Sequence, residues 1–133
     1  MMESSAINNK EHILKFYQTI SGFSKSKELL AEFTDDAQLI KQFLYFESLI
    51  PCFFILIDEI TAEGARVFVR VRFQGLQQGK INGNPPTYQH VEFPLAIGYT
   101  INNGRIIDHW IISDGVSLLE QLGLTIDSNE DRA

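Results

Sequence analysis

Two stretches near the C-terminus constrain the fold more than anything else in this chain. Residues 90–100 and 105–113 are largely apolar, aromatic or β-branched, and Asn102-Asn103-Gly104 between them is a hairpin signal, because Asn and Gly tolerate the left-handed backbone of a tight turn. The two runs are therefore predicted to be antiparallel neighbours. Side chains alternate along a strand, which predicts Ile106, Asp108, Trp110, Ile112 and Asp114 on one face and Ile107, His109, Ile111 and Ser113 on the other. Asp114, where the strand stops, then shares a face with the single tryptophan. A carboxylate beside an apolar wall is a candidate general base, since exclusion of water tunes it toward proton transfer.

Upstream, residues 8–20 carry Ile13, Leu14, Phe16, Tyr17 and Ile20 at helical spacing. A second short helix is predicted to Phe33 with Ser26 as N-cap. A third, capped by Thr34 or Asp35, turns Leu39, Ile40, Phe43, Leu44, Phe46 and Ile50 inward and stops at Pro51. Residues 53–62 read as a buried strand, Glu63-Gly64 as a turn, and 66–75 as a two-faced strand with Val67, Val69, Val71 and Phe73 alternating against Phe68, Arg70, Arg72 and Gln74. Residues 77–87 form a connection, and a short terminal helix is expected to end at Gly123. Helices followed by a four-strand antiparallel meander predict an α+β domain over residues 8–124, its helices packed on one face of a curved sheet, with flexible tails at 1–7 and 125–133.

Charge and cysteine usage exclude whole classes of function. With 11 Lys and Arg against 17 Asp and Glu, net −6, the chain is a poor partner for phosphate backbones, and no nucleic acid is expected. The single Cys52 cannot form an internal disulfide and the N-terminus lacks a signal-peptide layout, so a cytoplasmic location is the default. The longest apolar run, 49–57, is too short to span a bilayer and contains Pro51; no membrane is expected. His12, His90 and His109 lack ligand-like spacing, so no metal is predicted, and neither a phosphate loop nor a serine-nucleophile motif is present.

Each candidate residue has a plainer reading beside the functional one. Asp114 is either a general base or the N-cap of the terminal helix, although Ser117 and Glu120 offer that helix a capping box of its own. His109 and His90 are either catalytic or substrate-binding, or else structural strand residues. Arg70 could stabilise a developing enolate or lie on the solvated face with Arg72. Tyr99 could donate to a substrate oxygen or simply pack in the core. Trp110 and Phe43 are expected to line an apolar cavity under the helices. The face with Ile107, His109 and Ile111 also needs burial, and a twofold partner is its expected cover.

The order of elements, the Gly75 to Gly79 patch, Pro85-Pro86-Thr87, Val91-Glu92-Phe93-Pro94, Gly104-Arg105-Ile106, His109-Trp110 followed by Asp114, and Leu119-Glu120-Gln121-Leu122-Gly123 resemble the SnoaL-like polyketide cyclases of the nuclear transport factor two-like superfamily. The resemblance implies a cone with an apolar cavity for a small, polyketide-like ligand, a homodimer, and acid/base chemistry without metal or cofactor, typically ring closure by intramolecular aldol condensation. It also places the general base at the aspartate beyond the histidine-tryptophan pair, here Asp114. The chain departs from the family in one respect: residues 33–39 leave little room for the short strand that members carry between the second and third helices. Within the superfamily, a non-catalytic ligand carrier or a dimeric scaffold is the alternative to an enzyme.

Overall fold

The computed structural model describes residues 2–81, 83–114, 121 and 123. Three helices, α1 (Met2–Ile20), α2 (Lys27–Ala31) and α3 (Ala37–Leu49), precede four strands, β1 (Phe54–Glu63), β2 (Arg66–Leu76), β3 (His90–Asn102) and β4 (Arg105–Ser113). The strands form one antiparallel sheet in the order β1-β2-β3-β4. This is the predicted α+β arrangement, except that α1 begins at Met2 rather than at Asn8. The predicted terminal helix and the tail at 125–133 fall largely or wholly outside the described residues.

Apolar spacing decides how the layers meet. Ile13, Phe16, Tyr17 and Ile20 of α1 and Leu39, Phe43, Phe46 and Leu49 of α3 are buried against the odd-numbered residues of β2 and β3, from Val67 to Phe73 and from Val91 to Ile101. At the centre the rings of Phe53 and Phe73 stack 4.4 Å apart, and Phe43, Phe46 and Phe93 pack around them. Ser26 caps α2 as expected. The cap of α3 is Asp36, one residue beyond the predicted pair, because Thr34 instead donates its hydroxyl to the carbonyl of Ile106 and Asp35 pairs with Arg105. Thr34 also forms a single parallel bridge to Ile106, so the short segment before α3 does touch the edge of the sheet.

The β3–β4 hairpin closes through Asn103 and Gly104, both left-handed at φ 51 and 71. Just past the turn the alternation slips. Thr100 pairs with Asp108 and Ile101 with Ile106, leaving Ile107 as a bulge. Ile106 therefore joins the core side with His109 and Ile111, while Asp108, Trp110 and Ile112 face away from the helices. Two expectations are corrected here. Trp110 does not wall a cavity under the helices, and His109 and Ile111 are covered by the protein's own helical layer rather than by a partner. The physical reason lies in β3: its buried odd residues fix which side of the sheet is inside, and the pairing of Gly98 with Trp110 puts the indole outside. Gly98 is required there, since a Cβ would overlap the indole ring.

Candidate functional site

The predicted site residues do not converge. Phe43 has no exposed surface and belongs to the aromatic core. His90 is exposed at the start of β3, paired with Leu76 at the far end of the sheet. Arg70 lies on the outer face and bonds Glu59, and its neighbour Arg72 bonds Asp58 and Glu92. Asp114 is exposed just past β4; its N–H donates to the carbonyl of Pro94 at 3.4 Å. A shallow, mostly apolar hollow of about 360 Å³ adjoins it, with Arg70, Ala96 and Ile112 at its sides. Tyr99 is buried and shares a 2.5 Å hydrogen bond with Tyr17. Burial raises both phenol pKa values, because the phenolate would lose its hydration, so both hydroxyls stay protonated and one donates to the other.

One pair of side chains does have the geometry of proton-transfer chemistry. His109, directly opposite Tyr99 on the helix side of the sheet, brings Nδ1 to 2.5 Å from Oδ2 of Asp36, with only 10 % of each side chain exposed. The other carboxylate oxygen of Asp36 is fixed by the N–H groups of Gln38 and Leu39 at the start of α3. That helix end favours a negative charge. A carboxylate beside Nδ1 makes this nitrogen the donor and leaves the lone pair of a neutral ring on Nε2. None of the described residues bonds Nε2. A carboxylate that orients an imidazole through one ring nitrogen is an arrangement shared with general bases and their positioning groups.

A latch holds the two halves of this dyad together. The Arg105 guanidinium donates to the carboxylate of Asp35 at 2.8 Å and to the carbonyls of Ala31, Glu32 and Thr34. The main chain of Ile106 bonds Phe33 and Asp35. These contacts pin the segment that ends in Asp36 against β4, three residues before His109. Neither Asp36 nor Arg105 stood out in the sequence as a site residue. The sequence alone predicts the cap of α3 at Thr34 or Asp35, and a contact between residues 73 positions apart has no sequence signature.

A larger hollow, about 920 Å³, lies elsewhere, between the N-terminal half of α1 and the two hairpin turns. It is lined by residues such as Asn8, His12, Lys15 and Asn103, and it contains neither member of the dyad. Among the described residues no group of three His, Cys, Asp or Glu side chains is placed to hold a metal ion, and no helix is long and apolar enough to cross a membrane.

Residues 35–122, which include Asp36, Arg105 and the whole sheet from β1 to β4, match the family model described as SnoaL-like polyketide cyclase. The chain belongs to this family. Solved structures agree on the fold. AclR from Streptomyces galilaeus superposes with a TM-score of 0.78 at 21 % identity, covering 92 % of this chain and 85 % of its own. A protein of Jannaschia sp. CCS1 assigned as a SnoaL-like polyketide cyclase gives 0.74 at 20 %, covering 92 % and 96 %. IdmH from Streptomyces antibioticus gives 0.70 at 22 %, covering 87 % and 99 %. Identities this low carry the fold and not the reaction. No curated protein matches the chain. For a SnoaL-like protein the sheet's division of labour is informative: in this member the helix side carries the Asp36–His109 dyad, and the outer side carries Trp110, Arg70 and Asp114.

Proposed function

We propose that this protein is a small-molecule enzyme of the SnoaL-like kind that works by acid/base chemistry without a cofactor on an apolar, polyketide-like carbonyl compound. The Asp36–His109 dyad carries the reading. Nε2 of His109 removes a proton α to a carbonyl, the imidazolium that forms is stabilised by Asp36 at Nδ1, and the enolate closes a ring by aldol addition or is reprotonated in an isomerisation. His109 is preferred to Asp114 because its side chain is sheltered, whereas Asp114 is exposed. The two lie on opposite sides of the sheet and cannot serve one substrate together. The reading includes a homodimer and a cytoplasmic location.

The test is uptake of solvent deuterium α to the carbonyl in a panel of aromatic ketones and β-keto methyl esters, followed by mass spectrometry beside assays for cyclised products. Wild-type protein should accelerate exchange in at least one compound, and His109→Asn should lower that rate by about two to four orders of magnitude. Loss of exchange in Asp114→Asn with His109→Asn unaffected would move the base to the outer face. No acceleration of any compound would favour a ligand carrier.

A further inference from the structure

The hollow of about 920 Å³ between the N-terminal half of α1 and the two hairpin turns falls in the size range of small-molecule pockets, about 300–1,000 Å³. Its walls are fixed to one another. Asn9 of α1 donates its side-chain amide to the carbonyl of Gly64 in the β1–β2 turn at 2.9 Å, and Ile101 near the end of β3 donates its N–H to the carbonyl of Ala65 in the same turn at 2.8 Å. Helix and turns are thereby held in place before any ligand arrives, which lowers the ordering cost of binding.

Asn8, Asn102 and Asn103 line this hollow, and none of their carboxamides bonds a described residue. Asn103 serves the left-handed turn, but the other two go against their local structure. Asn8 lies in the interior of α1, where asparagine is a weak helix former, and Asn102 ends β3, where asparagine is a rare strand residue. Positions that break a local rule with no compensating contact in the fold are expected at functional sites. His12 adds to the set: it donates its Nε2–H to the carbonyl of Phe33 at 3.2 Å, so a neutral ring keeps the Nδ1 lone pair as an acceptor.

The same lining selects the chemistry of a ligand. Ile101 is the only large apolar residue among the described residues that line it, and it is itself buried, so an apolar compound finds little surface to cover. The two charged lining residues, Glu11 and Lys15, are opposite in sign and pair with no described residue, so the hollow has no net charge to attract an ion. A carboxamide offers a donor and an acceptor side by side, and a hydroxyl is both donor and acceptor, so several carboxamides around one hollow match a run of adjacent hydroxyls.

We propose that this hollow binds a neutral polyhydroxylated group, a sugar or sugar-like polyol, held by the carboxamides of Asn8, Asn102 and Asn103. It contains neither member of the Asp36–His109 dyad, so the site stands whether or not the dyad acts as a base.

Titration of the isotope-labelled full chain by nuclear magnetic resonance tests it, with the methyl glycosides of glucose, galactose and mannose as free-sugar probes and the para-nitrophenyl glycosides of the same sugars as probes for a sugar carried on a larger body. At least one sugar should give saturable shifts of the side-chain amides of Asn8, Asn102 and Asn103 while that of Asn84 stays in place. Asn8→Ala and Asn102→Ala should each weaken binding about two- to tenfold, the range for one hydrogen bond. Asn8→Ala should at the same time raise the thermal midpoint, since alanine is the better helix former. A gain of stability with a loss of binding is not what a purely structural asparagine gives. Tighter binding of the aryl glycoside supports a sugar attached to a larger compound, and equal affinity supports the free sugar. The proposal is overturned by the absence of a saturable shift with every glycoside, by shifts that appear equally at Asn84, by a stronger response to inorganic phosphate than to any sugar, or by affinity that ignores both substitutions.

Discussion

Replacing Asp36 by Ala removes two separate interactions, and the structure gives a magnitude for each. The carboxylate caps α3 by accepting from Gln38 and Leu39 at 3.0 and 3.2 Å, and loss of such a cap costs about 1 kcal/mol. The same side chain receives Nδ1 of His109 at 2.5 Å where both groups are largely sheltered, and a hydrogen bond to a charged partner contributes about 1.5–3 kcal/mol. Asp36→Ala should therefore destabilise the fold by about 2.5–4 kcal/mol, a large part of what a domain of this size possesses. Asp36→Asn keeps the cap and should cost only about 1–2 kcal/mol, the charge-assisted share of the second contact. Urea denaturation with an unchanged slope measures both. A double-mutant cycle with His109→Ala should return a coupling of about 1–2 kcal/mol, as expected for groups in direct contact. A coupling below about 0.3 kcal/mol would show that the two side chains act independently, and the dyad would then lose its standing as a unit.

Three further outcomes follow from the packing. Tyr17→Phe strands the buried Tyr99 hydroxyl and should cost about 1–3 kcal/mol, whereas Tyr17→Phe with Tyr99→Phe should cost less than the sum of the single changes; additive thermal or urea data would refute the pairing. Lys25 is buried over the Phe53 ring with its ammonium donating to Glu47 and to the carbonyls of Phe23 and Phe53, and Lys25→Met should cost about 2–4 kcal/mol at neutral pH. Burial, opposed by Glu47, lowers its pKa, so between the folded and unfolded values the unfolded chain binds more protons and Lys25's contribution to stability grows with rising pH; a gap between wild type and Lys25→Met that narrows through that alkaline window would contradict this sign. Gly98→Ala should displace the indole of Trp110 at a cost of about 1 kcal/mol, seen as a red shift of its emission; an unchanged spectrum would place the ring elsewhere.

Local chemistry was enough for the elements themselves. Alternating valines in β2, the helical stripe of Ile13, Phe16, Tyr17 and Ile20, the Asn-Gly turn and the serine cap of α2 each act over a few residues, and each can be read from spacing alone. The family resemblance was legible for a similar reason, because its motifs sit on short runs around Gly104, His109 and Trp110. What the sequence could not decide is which side of β4 is inside. A one-residue bulge at Ile107 inverts the relation between Ile106 and every later side chain, and nothing in the run Ile106-Ile107-Asp108 marks the extra residue. That single slip moved Trp110 and Asp114 to the outer face and brought His109 within reach of the α3 cap. The dyad itself is a product of tertiary structure: Asp36 and His109 stand 73 residues apart and meet only because Arg105 and Thr34 pin the segment before α3 to the first residues of β4. Short-range periodicity determines secondary structure, while the meeting of distant polar groups depends on register and long-range packing that no local pattern encodes.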